Sequence, residues 1–139
     1  SRGLGDVYKR QNPVSIAAAQ AVLKYIKDEN LQEHCKKAGA ALLKALKEVQ
    51  ERHPESVGDV RGAGLFLGFE FVKNDGNKTP DKDMALNVIE MLRDEHILTS
   101  VIGHYGNILK LRPPMVFSEN DIDWFATSLD KCITKLENK

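Results

Sequence analysis

Lys110 and Arg112 are the side chains in this sequence whose types and spacing point most directly to chemistry. They lie in the stretch Asn107-Ile108-Leu109-Lys110-Leu111-Arg112-Pro113-Pro114-Met115-Val116-Phe117-Ser118. Period-two alternation sets Ile108, Lys110 and Arg112 on one face of a strand and Leu109 and Leu111 on the other. At about 3.3 Å rise per residue the two cationic stems leave the backbone roughly 6.6 Å apart, close enough for both heads to reach one anion. Two prolines then end the ladder, because proline has no N–H to donate and biases its predecessor toward extended geometry. The cations therefore fall at the rim of a sheet, where chain turns irregular and ligands are met. Charged residues also guard sheet edges against pairing with another chain, and on the residues alone both readings stand.

Nothing else in the sequence completes a reaction centre. It holds no Ser/His/Asp arrangement, carboxylate pair, phosphate loop or clustered metal ligands, so neither a catalytic residue nor a metal ligand is assigned. His104 beside Tyr105 could touch a ligand, but a loop histidine without a nearby acid or nucleophile reads as surface. Gly62, Gly64 and Gly68 have the spacing G-x-G-x-x-x-G and precede a strand instead of joining a strand to a helix, which argues against a nucleotide fingerprint. They read as a turn or close backbone approach at Gly62 and Gly64, and a packing contact at Gly68. Cys35 and Cys132 stand nearly a hundred residues apart on different helices and read as core packing.

The elements that must position the cationic strand are legible around it. With 139 residues, 42% hydrophobic and 29% charged, the chain predicts one domain with a buried core. Residues 1–11 (SRGLGDVYKRQ) carry no periodicity and read as an assembly scar or a disordered tail. Asn12-Pro13 starts a helix to about Asp28, whose small residues at 17–21 imply tight packing. Asn30 and Glu33 suggest a capping box for a second helix to about Arg52, with Cys35, Ala38, Leu42, Leu46 and Val49 as its apolar stripe. After a break at 54–59, Val60 to Gly64 leads into a central strand at 65–72. Leu65, Leu67, Phe69 and Phe71 share one face of it, and Phe66 and Val72 put bulk on the other, so both faces are expected to be covered.

Thr79-Pro80-Asp81 opens a third helix to about His96. Residues 97–101 read as a short strand and 103–107 as a loop. Ser118 to Asp121 caps a last helix carrying Ile122, Phe125, Leu129, Cys132, Ile133 and Leu136. The predicted class is α+β, a small sheet of about three strands covered by helices. Zero net charge without charge blocks gives no sign of nucleic-acid or membrane partners. With no long apolar run and no secretory-type start, the expectation is an intracellular, cytoplasmic protein.

Three motifs add a resemblance. Asn12-Pro13-Val14-Ser15, Gly58-Asp59-Val60-Arg61-Gly62-Ala63-Gly64-Leu65-Phe66-Leu67-Gly68 and Leu109-Lys110-Leu111-Arg112-Pro113-Pro114-Met115 resemble the C-terminal small domain of class-III pyridoxal-phosphate-dependent aminotransferases, over residues 12–139. Lys78-Thr79-Pro80, Ile108-Leu109-Lys110 and Pro113 to Phe117 are most similar to the branch of ethanolamine-phosphate and phosphohydroxylysine phospho-lyases. Typical members place a carboxylate-gripping arginine three residues before the first proline of the pair, and Lys110 stands there. Lysine lacks arginine's planar two-point grip on a carboxylate but binds phosphate well.

The resemblance thus implies a phosphorylated amine substrate held by Lys110 and Arg112. It also implies pyridoxal 5'-phosphate bound mainly by a large domain outside this segment, a homodimer when intact, and no activity from the segment alone. Alternatives are an amino-acid or omega-transaminase of the same class, with Arg112 as the grip, and a stand-alone anion-binding module without chemistry.

Overall fold

The computed structural model describes residues 12–138, so the expectation for residues 1–11 lies outside it. The chain divides into two compact units, one up to His34 and one from Cys35 onward. The first unit holds α1 (Pro13–Asp28) and the first turn of α2 (Leu31–Arg52). Asn12 caps α1 as its sequence implies, its Oδ1 accepting from the Val14 N–H at 3.0 Å, with Pro13 preset in the first turn. The tight packing expected of its small residues is not found, since no residue of α1 is buried. Asn30 corrects a second expectation: it has φ +49°, a left-handed link between helices and not the extended geometry of a capping box.

The second unit is an antiparallel four-stranded sheet with helices against one face. It comprises the rest of α2, β1 (Val57–Ala63), β2 (Phe66–Phe71), α3 (Lys82–Asp94), β3 (Ser100–Ile102), β4 (Ile108–Leu111) and α4 (Glu119–Glu137), with strand order β1-β2-β4-β3. The α+β class is as the sequence predicts, with four strands in place of about three. The additional strand is β1. Its alternation is interrupted by a register shift between Val57 and Asp59 and by glycines of poor strand propensity.

Alternation along β2 and β4 sends Leu67, Phe69, Phe71, Leu109 and Leu111 inward. There they join Leu42, Leu46 and Val49 of α2, Ala85, Val88 and Leu92 of α3, and Ile122, Phe125, Leu129 and Ile133 of α4. Phe69 and Phe71 meet edge to face with centroids 5.3 Å apart. Burial of Cys132 in this core pushes its thiol pKa up, as expected of a packing cysteine. The opposite face is covered only in part: Val72, just past β2, is buried as expected, but Phe66 is 56% exposed, and Gly68 and Glu70 are half-buried.

The helix ends set where the strands begin. Asp81, not Thr79, caps α3, its Oδ1 accepting from the Met84 N–H at 2.9 Å. Pro80 lies before the helix in a bridge to Val72. At the other end His96 takes φ +62°, the His96 N–H reaches Arg93 O at 2.9 Å and the Ile97 N–H reaches Leu92 O at 2.8 Å. This double bond is a Schellman termination. It takes up Ile97, and pairing with β4 begins only at Ser100, not at 97 as expected. Helix α4 opens with a capping box, Ser118 and Asp121 exchanging side-chain and backbone bonds.

Helices α2 and α4 are tied by a polar clasp that the sequence did not disclose. Buried His53 lies 2.7 Å from Glu137 through Nδ1 and 3.1 Å from Asp130 through Nε2, while Arg52 Nε donates to Asp130 at 2.6 Å. Burial pulls the Asp130 pKa up, but Arg52 and then His53 outweigh it and hold the carboxyl below its ordinary value. A depressed folded-state pKa contributes stability that is fully present above the unfolded carboxylate value, about 3.9, and is lost as pH falls through the folded one. The urea midpoint is therefore expected to drop between pH 5 and 3, and Asp130→Asn to flatten that drop while lowering the midpoint at pH 7. Equal acid limbs in the two proteins would exclude Asp130 as the titrating group.

Candidate functional site

The face of the sheet away from the helices carries the cations. Arg61 pairs in register with Gly68, Gly68 with Lys110, and Lys110 with Ser100, a row crossing all four strands. Lys110 thus stands on one of the two inner strands, hydrogen-bonded on both sides, and is not an edge guard. It is half-buried, while Arg112 is exposed just beyond the end of β4. Arg112 lies over the Phe66 ring, its guanidinium carbon 5.8 Å from the centroid, a cation–π placement. The two residues are on the predicted face, and Leu109 and Leu111 are buried on the other.

The cations differ in how their charge is met. Arg61 Nη1 donates to Glu70 Oε2 at 2.5 Å and to Asp59 Oδ2 at 2.7 Å, and these bonds, Glu70 first, raise its pKa further. Among the described residues neither Lys110 nor Arg112 has a carboxylate within ion-pair distance. Both line a cleft of about 480 Å³, together with Thr99, Ser100, Pro113 and Phe117 among others. Thr99 Oγ1 donates to Lys110 O at 3.1 Å, and the Phe117 N–H closes the Pro-Pro loop onto Pro114 O at 3.0 Å. The capping box at Ser118 then fixes where this loop ends.

His104 stacks edge-on against Tyr105, centroids 4.8 Å apart, in the exposed loop before β4, and does not line the cleft. Cys35 is half-buried, with its Sγ 3.7 Å from Met115 O. Sequence reasoning missed Asn107, which is 2% exposed and whose Nδ2 donates to Phe71 O at 2.8 Å and reaches Glu70 Oε1 at 3.5 Å. It read as one more polar loop residue; its position directly before the strand was the available signal. Among the described residues no group of three or more His, Cys, Asp and Glu side chains could hold a metal, and no helix is long and apolar enough to cross a membrane.

The described residues thus form a four-stranded antiparallel sheet with helices on one face and, on the other, two cations without a carboxylate partner among them. Comparison with known proteins gives the chain a family. Residues 3–133 match the class-III aminotransferase family, and the chain belongs to it. It is 44% identical over 124 residues to the ethanolamine-phosphate phospho-lyase homolog 1 of Caenorhabditis elegans, covering 88% of this chain and 26% of that protein. It is 35% identical over 125 residues to the mitochondrial alanine–glyoxylate aminotransferase 2 homolog 2 of Arabidopsis thaliana, covering 90% and 26%.

Among solved structures, an Arthrobacter phospholyase in complex with phosphoethanolamine superposes with a TM-score of 0.83 at 33% identity, over 96% of this chain and 34% of that one. A Bacillus anthracis aminotransferase gives 0.81 at 34%, over 89% and 28%. The chain thus spans about a quarter of the length of the curated relatives it matches.

Members of the family use pyridoxal phosphate. The residues described here do not by themselves fit that group: among them no lysine is buried, and Lys110 alone is half-buried, so this segment offers no enclosed amine to anchor the cofactor.

Proposed function

We propose that residues 12–139 are the C-terminal small domain of a pyridoxal-phosphate-dependent phospho-lyase acting on a small phosphorylated amine, with Lys110 and Arg112 receiving the phosphate. The observation that carries this reading is the unmatched charge of Lys110, on a face where Arg61 is doubly engaged by acids. Lysine, a compact point charge, suits phosphate, and Arg112 on the same face adds a planar fork. The two cations orient the anionic end of the substrate at the mouth of the site, and the Pro-Pro loop borders the cleft beside them. The cofactor, held by chain outside this segment, supplies the electron sink. Similarity to two proteins named as phospho-lyases supports the substrate class. On this reading the complete enzyme works as a homodimer and the segment alone is inactive.

The test is product analysis with the complete enzyme loaded with cofactor. Phosphoethanolamine is expected to release inorganic phosphate in step with amine consumed, without any 2-oxo acid. Consumption only in the presence of a 2-oxo acid, with phosphate retained, would replace this reading by an amino-acid or omega-transaminase. Arg112 favours that second reading, because its guanidinium can grip a carboxylate at two points. Monodisperse segment alone that binds inorganic phosphate, from a gene encoding no larger protein, would leave a stand-alone anion-binding module.

A further inference from the structure

Glu70 faces a choice between two cations. It follows Gly68 on the open face of β2 and pairs in register with Asp59 on one side and Ile108 on the other. Arg61 and Lys110 are each two residues along the neighbouring strands from its register partners, diagonal to it on the same face. Diagonal neighbours across strands lie about 7–8 Å apart, within reach of long side chains. Gly68 stands between the two cations without a side chain, and a Cβ there would meet Ile108 Cγ2 at 3.2 Å; Ile108 therefore leans across the diagonal, and Glu70 and Lys110 could meet only through the ends of their long side chains, above it.

In the structure one carboxylate oxygen is engaged on the β1 side, and the other is approached weakly from the β4 side. Its Oε2 accepts from Arg61 Nη1 at 2.5 Å, Arg61 is itself braced by Asp59, and Oε1 is approached by Asn107 Nδ2 at 3.5 Å. We propose that Arg61 is a positioning residue for the anion site: by engaging Glu70 it stops that carboxylate from pairing with Lys110, leaving the lysine's charge available to a substrate phosphate. This rests on the assignment of Lys110 to phosphate made above. Without Arg61, the nearest acid becomes an internal competitor for the ligand.

The experiment measures steady-state kinetics of the complete, cofactor-loaded enzyme with phosphoethanolamine. Arg61→Gln is expected to raise KM about fivefold, the scale of one partly exposed ion pair, with kcat held within about twofold. Arg61→Lys keeps the ion pair and is expected to keep KM. The double variant Arg61→Gln/Glu70→Gln removes the competitor and restores KM. Arg61→Gln/Asp59→Asn restores the same net charge but leaves Glu70 free, so its KM stays high. If both double variants recover equally, the effect is a general field and the positioning role is overturned; if neither recovers, Arg61 acts on the ligand or the sheet directly, which overturns it too. Should Arg61→Gln not fold, Glu70→Gln alone, which removes the competitor and keeps Arg61, is expected to leave KM unchanged or lower, and a raised KM there overturns the inference. An unchanged KM in Lys110→Ala overturns the phosphate assignment together with this inference. A raised KM in Lys110→Ala with none in Arg61→Gln overturns the inference alone.

Discussion

Replacing Lys110 with alanine in the complete enzyme is expected to lower kcat/KM for a phosphorylated amine about thirtyfold while leaving the fold intact. The size follows from removing one partner of a desolvated, hydrogen-bonded charge pair, about 2 kcal/mol at the low end, since Lys110 is half-buried and not enclosed. Its inward neighbours Leu109 and Leu111 hold β4 in the core, and a lysine head on the open face contributes little to that. The thermal midpoint should therefore move by no more than a surface substitution does, roughly 0.5 kcal/mol in stability. Lys110→Arg keeps the charge and adds a planar fork, so phosphate use should fall only a few-fold while an amino acid with a terminal carboxylate becomes a better substrate. Unchanged kcat/KM in the alanine variant would take Lys110 out of the site.

The second large effect concerns the fold. Gly39 lies on the buried side of α2, and a Cβ built there would fall 2.2 Å from Gly64 O and 2.6 Å from Gly64 Cα. Alanine would raise helix propensity by about 1 kcal/mol. The obstacle is backbone, which cannot rotate away as a side chain end can, so the helix itself must lift from the β1–β2 turn. Leu42, Leu46 and Val49 would lift with it. Overpacking of this kind costs about 1–3 kcal/mol, occasionally more, and Gly39→Ala is expected at the upper limit, lowering the midpoint of thermal unfolding by roughly 10 °C. Gly64→Ala is the control: it has φ +53° but nothing within 4 Å, so it should cost only about 1–2 kcal/mol. Equal losses in the two variants would show that conformation, not contact, makes this turn need glycine.

These two glycines also mark the limits of what the sequence discloses. Strand β4 was readable because its apolar and charged residues alternate without a break and two prolines stop them. The core faces of α2, α3 and α4 were readable for the corresponding reason at helical period. Gly39 was not readable, because a glycine inside a helical pattern says nothing of which backbone it lets approach. Strand β1 was passed over because pairing with β2 supplies what its own residues lack, a tertiary effect absent from any local window. Boundaries moved where capping chemistry competed with propensity, as at Asp81, His96 and Ile97.

Within the candidate site, the side on which Lys110 and Arg112 stand was legible. Whether their charges were already matched was not. That depends on Arg61, Asp59 and Glu70 converging from strands whose register the sequence leaves open, and on Asn107 reaching across to Phe71 O and Glu70. The exposed Phe66 beneath Arg112 was expected to be covered, because apolar bulk on both faces of a strand usually signals a buried one.

The strand order β1-β2-β4-β3 has a kinetic meaning as well. The β1–β2 hairpin pairs Ala63 with Phe66 and can close locally, whereas β2 and β4 join Leu67 to Leu111, a separation of about forty residues whose closure entropy must be met before any pairing energy returns. The row that sets Gly68 beside Lys110 is therefore expected to assemble late in folding, after the hairpin and helices exist to receive it. Substitutions in the hairpin should register in the refolding rate, and substitutions at the β2–β4 seam mainly in the rate of unfolding.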